Sequence, residues 1–412
     1  MEVEEITVEV RGADLLRVGQ LEGADLAGFV CVPRANTLGS WSLKLPDRVL
    51  DDRGKSVPHE LCWELRQPSA GLVVTGPNGE ILSGPMTYAA QEQDAEDPEG
   101  TWTFEGVSDA KILAGALAYP DPSVASPQAS SQSRSNDVRT ASGEALLRMF
   151  TAFNICNGAL RSPAVTWAPA GRLTGDRMRF QLEGESLDRG LTLTKSPRFQ
   201  NLLELLQEIA VGSNLLFDVV QVGDGLRFRV TEPLDVSQEQ RWDVDNNQLS
   251  RAKYGFTAPG CTHVIVAGQG EGTARTIIEV TTPASLIAAA VWGRSERFLD
   301  QRNTDDPAEL EQAGLEILAA EGSAITALEV VPSADLANGY GTKWRMGSIV
   351  TVVVGDQEIQ APITEVPISI TAEGLFIGAT VGDATGFDWE SLLSSRQRKL
   401  ESRMSALERN AK

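Results

Sequence analysis

Histidine is almost missing from this chain, with two in 412 residues, and the scarcity removes much ordinary site chemistry at once. His59 and His263 lie far apart, in neither HxH nor HxxxH spacing, so a histidine-rich metal site within one chain is excluded. Cysteine is equally spare: Cys31, Cys62, Cys156 and Cys261 form no CxxC pair, which argues against zinc or disulfide frameworks and for buried, reduced thiols. Positive charge is short too. With 36 Lys and Arg against 57 Asp and Glu, the formal charge of -21 gives no electrostatic grip on duplex DNA. No run approaches the roughly 18 apolar residues of a membrane span, and the acidic, alternating start MEVEEITVEVRG is unlike a secretory signal, so a soluble folded chain is expected.

Catalytic signatures are also lacking. There is no GxSxG elbow and no SxxK pair. Cys261 and His263 stand at i and i+2, which in a strand points both side chains to one face, but nothing else around them marks a nucleophile. GQGEG at 268–272 follows the strand-like THVIVAG and resembles a phosphate loop superficially. The next residues, TARTIIEV, read as another strand, so a hairpin turn is expected instead of a helix N-terminus that could cradle phosphate. The acidic pairs Glu309/Glu311 and Asp305/Asp306 have no neighbouring feature of a glycosidase and read as solvated surface. Aromatics make up 6% of the chain, and Trp41, Trp63 and Trp102 alternate with apolar neighbours as core strand residues do. No catalytic residue, cofactor or metal ligand is therefore assigned.

What is present is a folded, β-rich α+β chain, 42% hydrophobic and long enough for two to four domains. Residues 1–118 hold short alternating stretches such as EITVEV, GFVCV, SWSLKLP, GLVVTG and TWTFEGV, the pattern of a β-barrel or sandwich. Within it, Asn78-Gly79 supplies the positive φ angles of a two-residue hairpin. Residues 119–137 are rich in Ser and Pro and poor in apolar side chains, so a mobile linker is expected there. A mixed block, 138–236, follows. Ser142 is expected to cap a helix that places Leu146, Phe150 and Phe153 on one face. A second helix is read from Ser196 as cap and Pro197 as first residue, with the stripe Phe199, Leu202, Leu203, Leu206, Ile209 and Ala210. VGDG at 222–225 should join LLFDVVQ and LRFRVTE as a hairpin. Residues 237–385 return to strands, with one inserted helix at 306–321 that Asp306 caps, Pro307 opens and Gly322 closes. The last segment, 386–412, reads as a helix with Leu393, Leu400, Met404 and Leu407 at heptad core positions, a short coiled coil and the candidate oligomer contact.

Four stretches, in order, resemble the Gp37-like minor tail proteins of siphophages that infect actinobacteria: NDVRTASGEALLRMF (136–150), SPRFQNLLELLQEIA (196–210), HVIVAGQGEGTAR (263–275), and the region from Trp292 to Thr351, which ends in GYGTKWRMGSIVT. They span roughly half the chain. The resemblance implies a baseplate or tail-tip hub of gp27-like fold, in which two tube-like β domains flank a mixed domain and three subunits form a pseudo-sixfold ring. It implies a structural, non-enzymatic protein of the virion tail, assembled in the host cytoplasm. Its implied partners are two further copies of itself in a homotrimer, a distal tail protein or tail tube above, a tape measure protein, and tail-tip or receptor-binding proteins below. Genomic DNA would pass through the lumen without specific binding, and the excess of acid agrees with such a lumen. The competing expectation is a tail-tip enzyme or carbohydrate binder acting on the host envelope, which would need a clustered cleft of acids or aromatics.

Overall fold

A computed structural model of the chain describes residues 6–93, 98–124, 126–128, 130–156, 179–302, 304–322, 325–354, 357–371 and 374–382. Two antiparallel-dominated sheets carry the architecture. The larger has nine strands, all antiparallel to their neighbours, in the order Arg17–Leu21, Thr7–Arg11, Gly71–Gly76, Gly79–Glu92, Thr101–Val107, Ser40–Pro46, Phe29–Val32, Ile368–Thr371 and Gly374–Ile377. Sequence periodicity sets which side faces in. In Ser40–Pro46, Trp41, Leu43 and Leu45 are buried while Lys44 points out. The Asn78-Gly79 turn forms as expected between Gly71–Gly76 and the long strand Gly79–Glu92, and Gly79 takes φ 104°, a conformation side-chain-bearing residues rarely adopt.

The second sheet has six strands: Arg241–Asp243, Ile349–Val354, Gln357–Glu365, Ala379–Gly382, Ile325–Pro332 and Leu249–Thr257. It is not separate from the first. Strands Ile368–Thr371 and Gly374–Ile377 leave it and join the nine-stranded sheet, where Ile368 pairs with Cys31 and Ile370 with Phe29. One apolar core then runs through both blocks, from Val8, Phe29, Trp41 and Phe104 to Trp242, Trp344, Val352 and Ile368. The stretch 368–377, read in sequence as part of the second β block, is physically the edge of the first block's sheet.

Between these blocks lies the mixed unit. Helix α1, Gly143–Asn154, is capped by Ser142 Oγ, which accepts from the Ala145 N–H, and buries Leu146, Leu147 and Phe150. Helix α2, Leu202–Ser213, packs beside it, and both cover a three-stranded sheet of Arg179–Leu182, Gly225–Thr231 and Leu216–Val222 through Phe180, Phe217 and Phe228. Two expectations need correction here. Phe153 is 47% exposed, outside the packed stripe. Helix α2 begins at Leu202 with Asn201 as its cap, not at Ser196: Asn201 Oδ1 accepts from the Leu203 and Glu204 N–H groups. The reason is tertiary. Gln200–Asn201 pairs with Leu117–Ala118, Phe199 N–H donates to Ala118 O, and Phe199 takes φ 55°, so the residues before 202 have their backbone groups committed elsewhere.

The described residues of 119–137, the segment expected to be a mobile linker, make several polar contacts. Asp121 accepts from the hydroxyls of Ser123 and Ser133, in that order of strength, which hold its carboxyl down to about 2. The Tyr119 ring meets Phe199 edge to face at 5.1 Å, and buried Asp137 accepts from Arg139 Nε at 2.9 Å.

The chain from 258 to 324 is looped out between the paired strands Leu249–Thr257 and Ile325–Pro332. It carries helix α3, Pro283–Trp292, helix α4, Pro307–Glu321, and a three-stranded sheet in the order Ile277–Val280, His263–Ala267, Glu296–Asp300. Asp306 caps α4 through the Ala308 N–H, Pro307 opens it and Gly322 ends it, as the sequence predicts, but Glu309, which the D-x-x-E spacing marks as the partner in a capping box, does not complete one. The GQGEG stretch links the antiparallel strands His263–Ala267 and Ile277–Val280, so it is a hairpin connection. Leu310 and Leu318 of α4 close a small core over Val264, Val266 and Val280.

Candidate functional site

The three larger units meet at one cleft. Its walls are the hairpin Gly76–Ser83 of the first block, the strand from Leu216 to Val220 of the mixed block, and the corner Tyr340–Met346 of the second, around a cavity of about 460 Å³. Under the first wall is a buried network. Arg11, 1% exposed, grips Asp109 with two bonds of 2.6 and 2.7 Å and gives a third, of 2.6 Å, to Gln221 Oε1. Ser83 Oγ donates to Asp109 at 2.6 Å, and the Gln221 N–H donates to Glu80 Oε2 at 2.8 Å. The charged pair lies within the first block, and the bonds of Gln221 with Arg11 and Glu80 join that block to the mixed unit.

Glu80 is the perturbed group of this network. Burial pushes its carboxyl up to about 8, more than the Ser83 bond and the Arg11 charge pull it down, and Asp109 adds to the rise. Two of the other charges at the cleft are paired, Arg34 with Glu365 at 2.7 Å and Arg229 with Asp218 at 2.7 Å, while exposed Arg345 also lines it.

The third wall contains the GYGTKWRMGS stretch. Tyr340 and Trp344 are buried there, Trp344 packs edge to face on Trp242 at 5.1 Å, and its Nε1 donates to Leu336 O at 2.9 Å. Ser348 Oγ, fully buried, accepts from the Arg345 N–H and closes the turn, and Asn78 of the hairpin donates to Gly341 O. The segment that stood out most in the sequence is therefore a corner where the two β blocks lock together.

The remaining candidates resolve individually. His59 caps the short helix Glu60–Leu65, its Nδ1 accepting from the Cys62 N–H at 3.1 Å while Nε2 faces Asp25 at 3.2 Å. His263 Nδ1 pairs with Thr262 Oγ1 at 2.9 Å. Cys261 lies just before that strand, and burial and then the Glu321 charge raise its thiol pKa, the reverse of an activated nucleophile. All four cysteines are free and buried, and burial drives Cys62 and Cys156 to about 12. Trp41 is a core strand residue as expected. Trp63 is not: it sits on the helix Glu60–Leu65, 56% exposed, with Arg66 stacked over its ring. Among the described residues, no three His, Cys, Asp or Glu side chains are grouped to hold a metal, and no helix is long and apolar enough to cross a membrane. Leu393, Leu400, Met404 and Leu407 lie outside the described residues. The Arg11–Asp109–Gln221 network went unread in the sequence because its members are separated by 98 and 210 residues.

A β-rich chain whose polar groups serve its own joints belongs to a fold seen in phage tail proteins. The 43 kDa tail protein of prophage MuSo2 from Shewanella oneidensis matches with a TM-score of 0.54 at 10% identity, over 92% of this chain and 98% of that one. A tail protein from Neisseria meningitidis MC58 matches with a TM-score of 0.51 at 10% identity, over 92% and 97% of the two chains. No curated protein matches in sequence. The chain belongs to the siphovirus ReqiPepy6 Gp37-like protein family, whose profile matches residues 7–383. Its fold is the one seen in those phage tail proteins.

Proposed function

We propose that three copies of this chain form a hub at the tail tip, continuing and closing the tail tube and connecting it to host-contact proteins. Opening of the hub after host contact would let DNA through, with no covalent step. The observation that carries this reading is the fusion of the two β blocks: strands 368–377 complete the first block's sheet, and one core runs through both. A subunit that contributes twice to a ring needs its two contributions held rigidly, and a shared core does that where a linker would not. The buried bond from Arg11 to Gln221 adds a fixed joint to the mixed unit. The charge of -21 supports a lumen that repels DNA. Leu393, Leu400, Met404 and Leu407 would pack the C-terminal helix against its copies or the next tail protein.

Light scattering of the purified chain across a concentration range, followed by negative-stain imaging, tests the proposal. The expected result is a species of three chain masses with a central hole. A single chain mass at every concentration, with no ring on purified tails carrying a labelled copy, would overturn it.

A further inference from the structure

Helix α3, PASLIAAAVW, has no ionisable residue and is apolar on every face, yet only Ser285 and Ala288 are buried. Leu286, Ile287, Val291 and Trp292 are 49%, 69%, 73% and 45% exposed. A helix apolar all round is normally enclosed by protein. Close to it in the chain, the register of the three-stranded sheet puts Val264, Val266 and Val280 toward α4, so Ile277 and Phe298 belong to the opposite face, where they are 56% and 59% exposed. The four large exposed side chains of α3 present on the order of 400 Å² of apolar surface, the size of the largest patch a monomer usually leaves open, which is often functional.

The surrounding charge identifies the partner. Residues 260–302 hold Arg275, Arg294, Arg297 and Arg302 against Glu271, Glu279, Glu296 and Asp300, four of each sign and net zero, in a chain of -21. Arg294 bonds both Glu279 and Glu296 at 2.7 Å, Arg275 and Arg302 bond Asp300, and Arg297 bonds Glu321. Two copies of so acidic a protein repel each other over most of their surfaces, and a patch whose carboxylates are neutralised in place is where they can touch. Helices that lie on membranes need a charged, usually basic, polar face, which α3 lacks.

We propose that α3 forms the surface by which one copy of this chain docks on another, an interface that rests on the ring reading above and locates one of its contacts. The patch need not meet itself. A contact with a different surface of the next copy is the kind that closes into a ring, and a second apolar area of Leu187, Leu191 and Val211, 70%, 67% and 58% exposed, is available on the mixed unit.

The test is the full chain with Ile287→Glu and, separately, Val291→Glu, with Val222→Glu as control at an exposed apolar position outside the patch. Mass by light scattering is read beside far-UV circular dichroism and the thermal midpoint at a concentration where only the monomer is present. The expected result is loss of at least roughly 30-fold in self-association for both patch variants, the size of a hot-spot loss, with unchanged monomer melting and an unaffected control. A native trimer that persists in both variants would overturn the docking surface and leave the ring reading standing. A native dimer abolished by the variants would support the surface and overturn the ring. A native monomer that sediments with phosphatidylcholine/phosphatidylglycerol vesicles, and loses this in the variants, would overturn both in favour of a membrane contact.

Discussion

Replacing Asp109 by Asn should loosen the joint between the first β block and the mixed unit, and the size of the effect follows from the geometry. Arg11 and Asp109 are 1% and 5% exposed and meet through two short bonds, so their charge centres lie about 4 Å apart. At an effective dielectric near 20, that attraction is about 4 kcal/mol. The substitution removes it and leaves a guanidinium buried with only neutral oxygens around it, for an expected loss of roughly 3–5 kcal/mol. Urea unfolding followed by tryptophan fluorescence measures the loss, and hydrogen exchange at the Gln221 amide, which donates to Glu80, shows whether the joint opens first. The Arg11→Met/Asp109→Asn double variant completes a cycle. With the stranded charge gone, its cost should fall at least about 2 kcal/mol short of the sum of the single losses. An Asp109→Asn loss below about 1 kcal/mol, or additivity within about 0.5 kcal/mol, would refute the idea that this pair anchors the Arg11 bond across to the mixed unit.

Three further perturbations have defined outcomes. Glu80 binds its proton more tightly folded than unfolded, so its contribution to stability is fully present below the unfolded value near 4.5 and is lost as pH rises through about 8. Glu80→Gln should therefore match the native chain within about 1 kcal/mol at pH 5 and exceed it by at least about 2 kcal/mol at pH 9, as read from urea midpoints. A Cβ at Gly106 would stand 2.2 Å from Trp41 Cε2, inside a fully packed ring, so Gly106→Ala should cost at least about 2 kcal/mol and alter the near-UV tryptophan signal. Asn201→Ala should cost about 1 kcal/mol as a lost helix cap, whereas Ser196→Ala should cost less than about 0.5 kcal/mol; equal losses would mean the helix starts earlier than Leu202.

Short-range features were legible because their physics is short-range. Asn78-Gly79 and the turn at 222–225 form hairpins, Ser142 and Asp306 cap helices through bonds to residues two or three positions on, and alternation in Ser40–Pro46 names its buried face. Where local signals competed with distant pairing, pairing won. Ser196-Pro197 is a sound helix start in isolation, but strand Leu117–Ala118 takes the backbone of Gln200–Asn201 and moves the cap to Asn201. At the described residues of 119–137, Asp121 and Asp137 gather polar side chains of the stretch and those next to it. Family membership was legible for a different reason: four separated stretches kept their order, and the profile that matches runs from 7 to 383.

By itself, then, the sequence determined the β-rich class, the places of most hairpins and capped helices, the buried thiols and the Gp37-like family, because each depends on neighbouring residues or on pattern. Only the tertiary structure decided that residues 368–377 belong to the first sheet, that Arg11, Asp109 and Gln221 meet, and that α3 stays uncovered by its own chain. Strand partnership and burial are set by which distant surfaces find each other, and periodicity can say that a side chain needs cover without saying from where in the chain, or from which copy, that cover comes.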